Sequence, residues 1–354
     1  ELDRTIFYPT GGGQPCDMGT LGGADVTETL LRGETVLHRC TAALPAGADV
    51  TGEIDWARRL DLMQQHSGEH LVSGLIHARF GYENVGFHLG ADLVTIDFNG
   101  EVDEQALQEL ERAANEAVWA DFAPHIWYPE PDELAHLPYR SKKALTGAVR
   151  LVQFGDIDLC ACCGTHVAHT GEIGLIKLFS TTHFRGGSRI EMACGGRALA
   201  VLNALCAQNR DISVRLSAKP VQTAAAVARL ASERTEAQQR AAALEDRLFA
   251  LLAQDGQTLR FEPPMPPESV RRLADAMVRA NGARCAVFAG QDGAWHYAMA
   301  DPSGDLRGLV KRLNAALQGR GGGKPGFVQG SLAASRTDIE AFFTAESCSM
   351  PDPA

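Results

Sequence analysis

Three stretches of the chain place apolar residues at three- and four-residue steps, the spacing of one face of an α-helix. Residues 55–79 form the first stretch, which a Phe-Gly pair ends, and residues 103–119 form the second. Residues 218–253 are rich in Ala, Leu, Glu and Arg and hold no glycine and no proline after Pro220. We therefore expect two amphipathic helices and one long helix that can act as a short coiled-coil connector.

The other segments alternate short β-type runs with turn residues. Residues 1–55 are punctuated by glycine, which predicts a small N-terminal β-barrel. Residues 56–210 mix helices and strands, and residues 211–258 form a helical linker. Residues 259–354 predict helix, strand, strand, helix and a glycine-rich loop, the pattern of an α/β domain. The predicted fold class is therefore α+β, with a second, C-terminal α/β domain.

Composition limits the class of protein. A chain of 354 residues with 45% hydrophobic residues can form two or more cores, and a formal charge of −11 argues against loose electrostatic binding of nucleic acid over the whole surface. Nine cysteines are too few for a disulfide scaffold of this length. Without an apolar span or a leader, we expect a soluble, cytoplasmic protein with no membrane contact. Because the chain opens on Glu1, we also expect a short N-terminal piece to be missing.

Histidines and cysteines carry the chemical signal. His66 and His70 lie four residues apart in a predicted helix, so both rings project from one face at a separation that a single metal ion can bridge. About 90 residues later, residues 158–166 crowd three thiols and an imidazole around a glycine. Imidazole and thiolate donors together favour zinc. The spacing leaves the thiol open among Cys160, Cys162 and Cys163.

Two familiar metal enzymes are excluded by the same motif. The sequence between the histidines is His-Ser-Gly-Glu-His, which places the carboxylate one position too late for a metalloprotease helix. The paired motifs of a zinc nucleobase deaminase are absent from the sequence. The motif therefore predicts a zinc site but does not indicate which substrate it acts on.

Six motifs in this order resemble the AlaX-type alanyl-tRNA editing proteins, free-standing relatives of the editing domain of alanyl-tRNA synthetase. They are FYPTGGGQ at 7–14, QQHSGEHL at 64–71, GFHLG at 86–90, CCGTHV at 162–167, TGEIG at 170–174 and RIEMACGG at 189–196. The segment GRGGGKPGFVQG at 319–330 similarly resembles the glycine-rich loop of the DHH-associated domain that long-form members carry.

The resemblance implies one zinc ion per chain, held by His66, His70, Cys162 and His166, because the family's cysteine precedes its histidine by four residues. It places Thr10 and the glycines Gly11, Gly12 and Gly13 near the site. Thr10 is our candidate partner for a substrate hydroxyl. We expect Gln14, Asn84 and His88 to line the pocket, and Arg189 to meet phosphates of the acceptor end.

The glycine-rich loop is expected to bind tRNA. Successive backbone N–H groups of Gly321, Gly322 and Gly323, flanked by Arg320 and Lys324, would form a local anion cradle. In the synthetase the corresponding domain contributes to tRNA binding and dimerisation, so we expect a homodimer through the C-terminal half. Binding of ATP is not expected.

The implied activity is hydrolysis of serine, or of glycine, wrongly esterified to alanine tRNA. A bound zinc ion can polarise a carbonyl or lower the pKa of a water molecule, but four protein ligands are the arrangement usual for structural zinc. The alternatives are therefore a non-catalytic RNA-binding or dimerisation module with structural zinc, and a metal-dependent hydrolase of another ester or amide.

Overall fold

The computed structural model describes residues 1–141 and 147–348. The chain divides into two compact units, residues 1–214 and residues 215–354. The finer division predicted at residues 55, 210 and 258 stays a prediction. The structure is 42% helical and 27% strand, which agrees with the predicted α+β class.

The helices of the described residues are numbered in chain order: α1 Trp56–Phe80, α2 Glu104–Trp119, α3 Pro131–Leu134, α4 Gly195–Arg215, α5 Thr223–Leu252, α6 Pro267–Asn281, α7 Arg307–Ala316 and α8 Arg336–Cys348. The strands are β1 Gly19–Leu21, β2 Ala24–Arg32, β3 Thr35–Cys40, β4 Gly52–Ile54, β5 Asn84–Leu89, β6 Val94–Phe98, β7 His125–Trp127, β8 Leu151–Phe154, β9 Asp158–Ala161, β10 Ile176–Phe184, β11 Gly187–Cys194, β12 Leu259–Glu262, β13 Cys285–Gln291, β14 Ala294–Ala300, β15 Arg320–Lys324 and β16 Phe327–Leu332.

The N-terminal strands form an open sheet, so the predicted β-barrel is wrong. The strand order is β3-β2-β1-β4, and the two edge strands β3 and β4 do not pair with each other. Closure of a barrel needs enough tilted strands to bring the two edges together. Here β1 and β4 are only three residues each, so the sheet is too small to curl back on itself.

The helix predicted over residues 55–79 is confirmed as α1. The Asp55 side chain accepts a hydrogen bond from the Arg58 N–H and caps the first turn. Gly81 ends the helix at a φ of 69°, a left-handed conformation that glycine adopts without steric cost. The second predicted helix, residues 103–119, is confirmed as α2, which Asp103 caps in the same way.

Helices α1 and α2 cover one face of an antiparallel sheet with the order β10-β11-β6-β5. Leu71 and Ile76 of α1, Leu110 of α2, and Ile96 and Ile190 of the sheet are almost completely buried in one core. A second, three-stranded sheet, β7-β8-β9, packs against α1 through β9. This arrangement brings residues 158–167 next to the middle of α1.

The long helix predicted over residues 218–253 corresponds to α5, which follows a short 3-10 turn at Pro220–Gln222. Helix α4 was not predicted. Only Ala198 and Ser213 of its residues are buried, so the apolar residues do not form the one-sided stripe that sequence analysis detects. Among the described residues, no helix is both long enough and apolar enough to cross a membrane. The cytoplasmic location stays a prediction.

The C-terminal unit contains a five-stranded sheet with the order β12-β13-β14-β16-β15. Only β12 and β13 are parallel, and α6 connects them, so the remainder of the predicted α/β domain is antiparallel. The predicted glycine-rich loop is also wrong, because Arg320–Lys324 form the edge strand β15. Successive N–H groups of an extended strand point in opposite directions, so they do not converge into the predicted cradle.

Asn115 of α2 is a buried polar residue that joins the helix to the sheet. Its side-chain amide donates to the carbonyl of Ile176 at 2.7 Å, and its oxygen accepts from the Ile176 N–H at 2.9 Å. The backbone N–H and carbonyl of Ile176, which is also buried, therefore both bond to the Asn115 side chain.

Replacing Asn115 with leucine should lower the free energy of unfolding by about 2–4 kcal/mol, because a buried donor and a buried acceptor lose their partner. Urea unfolding checks this value, and Gln108→Ala on the exposed face of the same helix should change it little. Equal losses in both variants would show that the Asn115 amide does not stabilise the contact.

Candidate metal centre

The middle of α1 is buried although much of it is polar. Between Leu62 and Ile76 the buried polar side chains are Gln65, His66, Ser67, Glu69, His70 and Ser73. Buried polar groups lower stability unless they are hydrogen-bonded or bind an ion. Polar residues at this density inside a core helix therefore indicate a functional site.

Four side chains converge beside this helix: His66, His70, Cys162 and His166. One donor atom of each lies within 4.8 Å of the donor atoms of the others. The Cys162 Sγ lies 3.4 Å from His66 Nε2 and 3.7 Å from His166 Nε2. His66 and His70 are buried whereas Cys162 and His166 are partly exposed, so the cluster faces solvent on the side of the CysxxxHis loop.

The donor set fits a zinc ion. Zinc bound tetrahedrally at its usual bond lengths holds its donor atoms about 3.4–3.6 Å apart, and the two sulfur–nitrogen distances above are 3.4 and 3.7 Å. Three imidazoles and one thiolate are also the chemical types that zinc prefers. The described residues therefore offer a closed, four-ligand site.

The surroundings of Cys162 and His166 shift the pKa values of both side chains toward the forms that bind a cation. Burial raises the pKa of the Cys162 thiol, but the neighbouring His66 and hydrogen bonds from the three histidines outweigh burial and hold this pKa well below 9.0. Burial lowers the pKa of His166 to about 3, with His70 and His66 adding to the effect and Cys162 opposing it. These shifts favour the thiolate form of Cys162 and the neutral form of His166.

Hydrogen bonds fix the orientation of two of the imidazoles. His66 Nδ1 lies 2.8 Å from Gln14 Oε1, and His70 Nδ1 lies 2.7 Å from Asp158 Oδ2. The contact with Gln14 occupies Nδ1 of His66 and leaves its Nε2 directed at the Cys162 sulfur. His166 differs, because among the described residues its buried Nδ1 has no hydrogen-bond partner.

Asp158 and Arg140 form a support that sequence analysis missed. Arg140 Nε donates to Asp158 Oδ1 at 2.7 Å, on the opposite oxygen from His70. Burial disfavours the Arg140 cation, but Asp158 more than compensates and raises its pKa. Alternation along β9 points residues 158 and 160 to one face, and Asp158 lies only four residues before Cys162, so the sequence offered a local signal for it. Arg140 has no such signal.

The structure brings Cys162 to the cluster, whereas Cys160 and Cys163 are not part of it. Cys160 forms a second buried group with His70 and Asp158, but burial raises the pKa of this thiol to about 11. Asp158 is also occupied by Arg140. Cys163 is exposed and lies outside both groups.

The glycine motif lies beside the cluster. A Cβ atom on Gly13 would lie 2.8 Å from Cδ1 of Phe87, and the Phe87 ring stacks on His66 with centroids 5.6 Å apart. Tyr8 donates its hydroxyl to the Gly11 carbonyl at 2.9 Å, and burial together with Cys162 and Cys163 raises its pKa to about 12. Sequence analysis did not identify Tyr8 or Phe87.

The remaining predicted residues have other surroundings. Thr10 is exposed, and its N–H donates to the Thr29 carbonyl. Asn84 is buried and donates to Glu69 and to Ser73. His88 is exposed on β5, next to Phe87 but on the opposite face of the strand. Their predicted roles stay predictions, as does tRNA binding by Arg320–Lys324, although these residues form a strand rather than the predicted cradle.

Arg189 is already paired. Its Nε and Nη2 lie 2.6 and 2.8 Å from the two carboxylate oxygens of Asp97, and its guanidinium stacks 3.7 Å from the centroid of the Phe184 ring. The predicted contact with phosphate would require this side chain to leave Asp97 or share it.

Comparison with known proteins first indicates a class of protein that part of the chain resembles. Residues 149–191, which contain Cys162 and His166, match the family described as the second additional domain of threonyl and alanyl tRNA synthetases. This segment of the chain is therefore similar to part of a domain found in those synthetases.

Three relatives then make the likeness specific. The chain is 27% identical to the alanyl-tRNA editing protein Aarsd1 of Danio rerio over 96% of its own length and 86% of that protein. It is 33% identical to the alanyl-tRNA editing protein AlaX-L of Pyrococcus horikoshii over 57% of its length and 52% of that protein. It is 30% identical to the alanine–tRNA ligase of Methanoculleus marisnigri over 93% of its length and 38% of that protein.

The predicted resemblance to alanyl-tRNA editing proteins is thus confirmed, and it extends over most of the chain. The chain spans most of the Danio rerio protein but only about half of the archaeal editing protein. Among solved structures, the C-Ala domain of Aquifex aeolicus alanyl-tRNA synthetase matches 25% of this chain and 87% of that domain at 18% identity, with a TM-score of 0.23 that is too low to support any conclusion.

Gly164 permits the close approach of the CysxxxHis loop to α1. A Cβ atom at this position would lie 2.1 Å from Cε1 of His66, whose ring is held by Gln14. Arg150, a further residue that sequence analysis missed, donates to the carbonyls of Cys162 and Gly164 and fixes the same turn.

Replacing Gly164 with alanine should weaken zinc binding about 10- to 100-fold, the effect typical of a disturbed ligand support. Competition with a chromophoric chelator measures the affinity. Gly196→Ala is the matched control, because no atom lies within 4 Å of a Cβ there and its φ is not positive. Unchanged affinity in the Gly164 variant would contradict the geometry described above.

Proposed function

We propose that this protein hydrolyses the ester bond of alanine tRNA mischarged with serine, and that glycine is a second substrate. The observation that carries the proposal is the convergence of three imidazoles and one thiolate within 4.8 Å beneath the glycine motif. The names of the relatives support the substrate class, because two of them are alanyl-tRNA editing proteins.

The described residues would hold a zinc ion through His66, His70, Cys162 and His166. When bound, zinc would supply a Lewis acid for the ester carbonyl or a water molecule of lowered pKa. Gln14 and Asp158 orient His66 and His70, and Arg150 holds the turn that carries Cys162. The partly exposed side of the cluster is where an ester at the end of a tRNA can enter.

Four protein ligands fill every position of a tetrahedral zinc ion, so a substrate can bind the metal only if one ligand dissociates. His166 is held least firmly of the three imidazoles, since no described residue bonds to its Nδ1, whereas Gln14 and Asp158 hold the other two. A substrate oxygen would therefore compete most readily with His166.

The alternative is a non-catalytic RNA-binding or dimerisation module with a structural zinc ion, which the closed ligand set favours. Removal of the thiol separates the two functions. Under the main proposal Cys162→Ala remains folded and inactive, whereas a structural ion would make the same variant melt at a much lower temperature than the parent protein.

The test is a deacylation panel run with and without a chelator. Ser-tRNA(Ala) should lose its amino acid at least about 100-fold faster than Ala-tRNA(Ala), because a site that binds a hydroxyl leaves a polar group unpaired when the hydroxyl is missing. A chelator should abolish the release, and added zinc should restore it. Comparable cleavage of both substrates, or faster cleavage of an unrelated ester, would refute the proposal.

A further inference from the structure

The sheet β10-β11-β6-β5 brings together, on its outer face, residues that lie in separate sequence motifs. In register across β5, β6 and β11, Gly86 pairs with Asp97 and Asp97 pairs with Arg189. Residues directly opposite one another in a sheet share a face, and the adjacent Phe87, Ile96 and Ile190 pack on the core side. Arg189 therefore lies on the side of the sheet opposite α1 and α2.

The hairpin that joins β10 to β11 extends past Phe98, the last residue of β6, which pairs with Ser188. Its tip is formed by Arg185 and Gly186, with φ values of 50° and 80°. Two consecutive residues at positive φ are the geometry of a tight hairpin turn, in which Asn, Asp or Gly is preferred at both positions. An arginine there departs from the local preference, and such departures occur most often at functional positions.

Charge distinguishes Arg185 from its neighbours. Arg189 is neutralised by Asp97, and His183 lies 3.3 Å from Glu101. Among the described residues, no carboxylate pairs with Arg185, whose guanidinium carbon lies 5.0 Å from the centroid of the Phe184 ring. Although the whole chain has a formal charge of −11, the hairpin tip carries a local positive charge.

Two arginine side chains lie against the Phe184 ring. Arg189 occupies one face of the ring at 3.7 Å, and Arg185 lies near the same ring. A phosphate oxygen can reach the exposed guanidinium of Arg185.

The position is suited to the substrate proposed above. Arg189 and Gly86 are separated by two strand spacings, about 10 Å, and Phe87, next to Gly86, stacks on His66. Nucleic acid that follows the outer face from β11 would cross β6 and the edge strand β5 before it reaches the metal cluster, which lies on the core side of the sheet.

We propose that the tip of the β10–β11 hairpin docks the acceptor-end backbone of the tRNA, with Arg185 as the phosphate contact and with Arg189 as a positioning residue held by Asp97. This inference rests on the proposed deacylase function. It reassigns the phosphate contact expected of Arg189 to an arginine that has no ion-pair partner among the described residues.

The experiment compares two substrates in the full chain: Ser-tRNA(Ala) and a serine ester of adenosine, which lacks the acceptor-end phosphates. Arg185→Ala should raise KM for the tRNA about 5- to 10-fold with little change in kcat, as expected for one lost charged contact. The salt dependence of log(kcat/KM) should become shallower by about one unit. Hydrolysis of the adenosine ester should not change.

Two further variants serve as controls. Arg185→Lys keeps the charge and should retain most of the affinity for tRNA, while Arg32→Ala, at the exposed end of β2 on another sheet, should behave as the parent protein. An Arg185→Ala variant that matches the parent, or that slows both substrates equally, would overturn the inference.

Failure of the proposed function gives a different result. In that case the parent protein releases serine from neither substrate. Filter binding of uncharged tRNA(Ala) by the parent protein and Arg185→Ala at several salt concentrations then still tests the hairpin, and equal affinity and equal salt dependence would refute it.

Discussion

The polar middle of α1 constrains the rest of the N-terminal unit. Six polar side chains are buried there, and a core can contain them only if each finds a partner. Gln14 supplies the partner of His66, Asp158 that of His70, and the Cys194 carbonyl and N–H bind both ends of the Gln65 amide. The glycine motif, β9 and β11 are thus tied to one helix by its polar groups.

The same ties assemble the metal centre. The loop that carries Cys162 and His166 reaches the helix only because Gly164 has no side chain, and Arg150 holds its carbonyls from the other side. Metal ligation and folding of this unit therefore depend on overlapping contacts. In such sites loss of a supporting residue weakens metal binding.

The ligands could be found from the sequence because their spacing is local. A step of four residues on a helix brings His66 and His70 together, and residues 158–166 crowd three thiols beside His166, so these three histidines required no knowledge of the tertiary fold. The choice of Cys162 came from resemblance, since three thiols fit the spacing. The roles of Arg140 and Arg150 depend on contacts between distant segments, and no local sequence pattern indicates them.

The errors in the predicted fold have similar causes. The helix α4 buries too few residues to show a period, and the strand β15 contains three glycines, which have low strand propensity and usually indicate a turn. Tertiary pairing with β16 outweighs that preference. The N-terminal strands were recognised, but whether a sheet closes depends on strand number and tilt, which glycine spacing does not encode.

The central claim is that four side chains of this chain bind one zinc ion. X-ray absorption at the zinc edge measures it directly in the purified, zinc-loaded protein. We expect three nitrogen neighbours at about 2.0–2.1 Å and one sulfur at about 2.3 Å. The sulfur should vanish in Cys162→Ser and persist in Cys160→Ser and Cys163→Ser. A shell of oxygen atoms alone, two sulfur neighbours, or a sulfur that survives in Cys162→Ser would contradict this account.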